Sequence, residues 1–187
     1  DLVIKDFDGD QSAAQTSVTI RDDGPAINEA VSYDSGIYEQ DGIAQHQPVT
    51  GEFIHQFGFD GQANGREGIV ITNAQILWGE NQQAALTAGG IEITFVRDVS
   101  DGNVFHGMAG DKEIFTLAFN GQDQSFTYTQ LSGIDHPDAN ASAEAVDIRF
   151  DIDLVDADGD TVSSSLTITD IHDSAPVAMH DTDLVYE

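Results

Sequence analysis

The 187-residue chain has no cysteine, two methionines, one tryptophan, four prolines and only six basic residues. Without cysteine there is neither a disulfide nor a thiolate site, so something other than sulfur must staple the fold. Six Lys and Arg against 34 Asp and Glu give a formal charge of −28. A surface so poor in cations cannot neutralise phosphates, which argues against nucleic acid and anionic membrane as partners. No apolar run reaches the roughly 18 residues of a membrane span, and no signal-peptide pattern opens the chain, so membrane insertion is not expected. Helical periodicity is nearly absent as well.

What is present suits strands. The chain is 40% apolar with 10 Phe and 4 Tyr, enough at this length for a core that need not depend wholly on metal. Alternating or β-branched runs recur at 49–57, 69–77, 91–96, 113–119, 125–130, 146–155 and 163–169, separated by Gly, Asn and Asp. In the run 147–154 alternation is strict: one face is apolar and the other carries Asp147, Asp151 and Asp153. The expected class is all-β, a Ca²⁺-stabilised antiparallel β-sandwich with long loops. Residues 34–48 read as a loop, and only 26–30, 81–88 and 138–145 could hold a helical turn.

One signature occurs twice. Asp6-Phe7-Asp8-Gly9-Asp10 is followed by a short β run and Asp22-Asp23-Gly24-Pro25. Asp156-Ala157-Asp158-Gly159-Asp160 is followed by another β run and by Asp170 and Asp173 ahead of Pro176. Three short carboxylates at alternate positions, curled by a glycine that tolerates positive φ, make a hard-oxygen cage suited to Ca²⁺. These are not EF-hand loops, since the twelfth position is Ser17 or Thr167 instead of Glu. The metal set expected is Asp6, Asp8, Asp10, Asp22, Asp23, Asp156, Asp158, Asp160, Asp170 and Asp173, holding several Ca²⁺ ions. A solvated halophilic surface is the blander account of the acid excess, but the clustering of Asp beside Gly favours ions.

Residues 1–23 align with 151–173, one module length apart. That divides the chain into a terminal strand and metal corner shared with a preceding unit (1–23), a β-sandwich module (24–176) and a lead into the next unit (177–187). A tandem array stapled by ions in place of disulfides points outside the cell.

Catalysis finds no support. The six histidines show no zinc spacing, no Gly-x-Ser-x-Gly elbow occurs, and phosphate-binding glycine loops are missing. With 34 acids, carboxylate pairs of the glycosidase kind arise by chance. The chain is read as a non-enzyme. For recognition, the best candidates are two Gly-rich turns that join an Arg to carboxylates and amides: Asp60, Asn64, Arg66 and Glu67, and Arg97, Asp98, Asp101 and Asn103.

The stretch from Thr127 to Pro137 (with Asp135-His136-Pro137), the strand Phe150–Val155, Asp156-Ala157-Asp158-Gly159-Asp160-Thr161 and Leu166-Thr167-Ile168 together resemble the repeat modules of giant type I-secreted RTX adhesins, and 51–61 fits the opening strand of the same module. The resemblance spans roughly 49–177. It implies a Ca²⁺-rigidified β-sandwich on a Gram-negative bacterial surface, extracellular, in contact with neighbouring modules of the same chain. The long 28–48 lead-in and the extended 60–111 region depart from a plain stalk repeat, and the overall size is similar to that of the peptide-binding module of such adhesins. That likeness implies a Ca²⁺-assisted grip on a peptide or protein C-terminus of a target cell; a plain stalk unit is the alternative.

Overall fold

The computed structural model describes residues 2–15, 17–19, 23–40, 43–44, 48–65, 67–80, 82–137 and 145–173. Among them there is no α-helix, only a 3₁₀ turn at Ala63–Gly65, and nearly everything else regular is strand.

One six-stranded sheet is built from β10 (Thr87–Ala88), β11 (Ile91–Arg97), β12 (Val104–Ala109), β13 (Lys112–Asn120), β14 (Ser125–Gln130) and β6 (Val49–Glu52), in that order. The second runs β5 (Ile43–Ala44), β4 (Val31–Gln40), β16 (Thr161–His172), β15 (Ala145–Val155), β8 (Ile69–Trp78) and β9 (Gln82–Ala85). Two small pairs complete the set: β1 (Leu2–Lys5) with β2 (Gln11–Ala14), and β3 (Ala26–Ile27) with β7 (His55–Gln56).

The period-2 pattern explains how the large sheets meet. Along β15 the residues Val146, Ile148, Phe150, Ile152 and Leu154 are fully buried, as the alternation predicts, and the Asp residues face away. Phe150 meets Phe115 of β13 edge-on at 5.7 Å between ring centroids, and Tyr33 of β4 meets Phe126 of β14 at 4.9 Å, so the two sheets share one aromatic core. Gly107 on β12 is there because of this packing: a Cβ would lie 2.4 Å from the Phe115 ring.

Three expectations change. The stretch 34–40 is not a loop but most of β4, which pairs with β16 in parallel (Leu166 opposite Val31, His172 opposite Tyr38), so the fold is not purely antiparallel. The helical turns expected at 26–30 and 81–88 are the strands β3, β9 and β10 instead. The turn at 138–145 falls almost wholly outside the described residues, as does the 177–187 lead.

Candidate metal centre

Each Asp-x-Asp-Gly-Asp signature is the loop of a β-hairpin, the first joining β1 to β2 and the second β15 to β16. The two loops are built alike. The leading Asp accepts two backbone amides through Oδ1: Gly9 N at 3.1 Å and Asp10 N at 2.9 Å for Asp6, Gly159 N at 3.0 Å and Asp160 N at 2.8 Å for Asp156. The backbone closes identically, Asp6 N donating to Asp10 O at 3.0 Å and Asp156 N to Asp160 O at 3.1 Å. Gly9 and Gly159 both take φ of +102°, where a side chain is strained. The outcome is three carboxylates turned to one side: Asp6, Asp8 and Asp10, or Asp156, Asp158 and Asp160, offer oxygens within 4.8 Å of one another.

Their surroundings differ. Asp6, Asp8 and Asp10 are all exposed, whereas Asp156 is 1% exposed and its Oδ2 is buried with no hydrogen-bond partner among the described residues. An orphaned buried carboxylate oxygen is costly unless a cation answers it. Burial works against ionisation of Asp156, but the adjacent Asp158 carboxyl and the loop amides outweigh it and leave Asp156 more acidic than an ordinary Asp. The Asp6 carboxyl is held low in the same direction, first by Asp8. A hard, oxygen-only donor set of this kind fits Ca²⁺ far better than a softer metal.

Other segments converge on the second corner. Ala157 N donates to Gly61 O at 3.0 Å, Gln62 bridges to Asp156, and Gly24 lies so close to Asp160 that a Cβ would stand 3.4 Å from its Oδ2. Asp23 is next to this corner, but its Oδ2 accepts the Phe59 amide at 3.0 Å and it is not one of the three clustered carboxylates. Asp22 lies outside the described residues. Asp170 and Asp173 stand at the far end of β16 and do not join Asp160. Asp170 takes φ of +64° at a β-bulge, where its carboxylate meets His172 at 3.0 Å.

The two recognition turns do come together, since Glu67, Arg97, Asp98 and Gly102 line one open depression of about 280 Å³. Arg97 is turned to internal work: it donates to the carbonyls of Gly102 and Ile69 and lies 4.6 Å over the Phe105 ring. Asp98 caps its own turn, accepting Ser100 N at 2.7 Å, Ser100 Oγ at 2.5 Å and Asp101 N at 2.9 Å; the Ser100 hydroxyl leads the groups that hold its carboxyl well below the usual range. Asp101 accepts Asn103 N at 3.0 Å, and Asn64 donates to Glu67 at 2.9 Å. Asp60 is exposed, and Arg66 lies outside the described residues.

Sequence reasoning passed over His106, whose Nδ1 is 2.5 Å from Glu113 and Nε2 3.3 Å from Asp98. The i, i+2 spacing of strands hides that contact because Glu113 comes from the neighbouring strand. Residues 22–169 match the model of one protein family, DUF5801, a domain of unknown function. No curated protein and no solved structure matches the chain.

Proposed function

The chain belongs to the DUF5801 family, and we propose that it is a Ca²⁺-stiffened β-sandwich unit of a tandem-repeat bacterial surface protein of the RTX adhesin kind, working outside the cell. The observation that carries this reading is the Asp156 oxygen: buried, without a hydrogen-bond partner among the described residues, and at the base of a three-carboxylate corner. Asp156, Asp158 and Asp160 would hold one ion and Asp6, Asp8 and Asp10 a second. Each ion would offset local repulsion in a chain of charge −28. Because segments 23–24 and 58–62 lean on the second corner, an ion there would tie the start of the module to its closing hairpin.

Capture of a peptide or protein C-terminus is the narrower proposal. Its support is that Asp158 and Asp160 are exposed, which leaves one side of the corner open for a ligand carboxylate to reach the ion. The engagement of Arg97 with main-chain carbonyls counts against the recognition turns as its seat. The role of a spacer unit therefore ranks first.

Melting in excess Ca²⁺ and in EGTA tests the proposal, with ions counted by native mass spectrometry. Sites held at 100–1,000 times their dissociation constant stabilise by about 3–4 kcal/mol each. An identical midpoint in both conditions would refute the metal reading. Binding of free-acid but not amidated peptides, only in Ca²⁺, would raise the second role above the first.

A further inference from the structure

The hairpin β1–β2 matches the hairpin β15–β16 in register as well as in sequence. Leu2, Val3, Ile4 and Lys5 pair with Ala14, Ala13, Ser12 and Gln11, and Ile152, Asp153, Leu154 and Val155 pair with Ser164, Ser163, Val162 and Thr161. Every pair is the same pair displaced by 150 positions. The second hairpin shows what such a hairpin packs against. Its Ile152 and Leu154 are fully buried, and the free side of β15 is taken by β8, with Ile152 opposite Ile71, Asp153 opposite Val70 and Leu154 opposite Ile69. In the first hairpin the position of Leu154 is Ile4, 65% exposed, and β1 has β2 as its one strand neighbour among the described residues.

From this we infer that residues 2–14 are the closing hairpin of a separate unit built like 24–173, and that the outer edge of β1 and its Ile4 face are an interaction surface for a β8-type strand and core of that unit. The occupant is defined by the counterpart. It offers an antiparallel strand that sets an Ile opposite Ile4, a Val opposite Val3 and an Ile opposite Leu2, over an apolar core that accepts the Ile4 side chain. An exposed strand edge beside an apolar face is otherwise a hazard that sheets avoid. The inference rests on the tandem-array part of the proposed function and is independent of whether the corners hold Ca²⁺.

The test builds such a unit from this chain. Residues 24–150 are placed directly before residue 1 of the full chain, so that Asp1 follows Phe150 in the place of Asp151. Hydrogen exchange of the 2–14 amides is then compared between the single chain and the fusion. The expected result is slowing by about a hundredfold or more in the fusion, because the hairpin then opens only with its unit. Exchange as fast as in the single chain overturns the inference. A second variant guards against a fusion that fails for other reasons: residues 152–164 of the full chain are replaced by residues 2–14. Cooperative melting with protected hairpin amides supports the fit, and a chain that melts without cooperativity overturns it. Loss of Ca²⁺-dependent melting with the hairpin protected would sink the metal reading alone.

Discussion

Hairpins 2–14 and 152–164 hold the same loop in opposite surroundings. Loop hydrogen bonds, glycine φ and strand register agree between them, yet Leu154 is fully buried and Ile4 stands 65% in solvent. The corner is therefore a local device. Asp, Gly and the amides after them close it whatever lies underneath, while burial comes from partners distant in sequence. A carboxylate corner of this kind can be repeated along a chain without redesigning the sheet that carries it.

The widest separation between the two hairpins should appear on truncating their matched core positions. Leu154→Ala should cost about 2–5 kcal/mol, and Ile4→Ala should stay within about 0.5 kcal/mol in the single chain. Urea melts of both variants measure this, and equal effects would mean that the first hairpin is packed in solution. Next come the ions. Asp158→Ala and Asp8→Ala should each lower Ca²⁺ stoichiometry by one, but only Asp158→Ala should lower the stability of the whole module, by the roughly 3–4 kcal/mol linked to a well-filled site. Full stoichiometry in either variant would make that corner a polar turn.

Glycine at φ of +102° sharpens the comparison further. Gly159→Val should cost about 1–3 kcal/mol of backbone strain and weaken its ion, and Gly9→Val should weaken its ion with the global melt unchanged. The smallest effect expected is one of pH. Glu113, against the opposing influence of burial and with help from Asp98, raises the pKa of His106. A raised histidine contributes stability in full below its unfolded value near 6.5 and loses it as pH rises through the higher folded value. For this half-exposed surface cluster the amount should be under about 1 kcal/mol. The pH profile of stability with His106→Gln checks it, and an unchanged slope above pH 6.5 would remove the role.

The parts of the molecule legible in the sequence are those where one short segment decides. The alternation in 147–154 announced β15 and its buried face, and Asp-x-Asp-Gly-Asp announced both carboxylate corners, because each depends on neighbours a few residues away. Strand β4 was hidden: Asp34-Ser35-Gly36 has turn chemistry, and Gly36 takes φ of +54° within the strand, held there by pairing with β16 some 135 residues on. Arg97 looked available because a lone Arg in an acidic turn usually is, and only the fold brings Ile69 O and Phe105 to it. Nothing in its own stretch marks the bulge at Asp170, which only the pairing of β16 with β4 reveals.

The parallel pairing of β4 with β16 has a mechanical consequence. β4 lies near the start of the module and β16 near its end, and both run in the same direction, from Val31 beside Leu166 to Tyr38 beside His172. A tug on the two ends of the module, once the short β3 has let go, draws these strands lengthwise past each other. The load then falls on all the rungs between them together, whereas pulling a hairpin from its open end breaks rungs singly. Resistance to such force is set by the unfolding rate, and a shear geometry of this kind should lower that rate along the line joining the two ends.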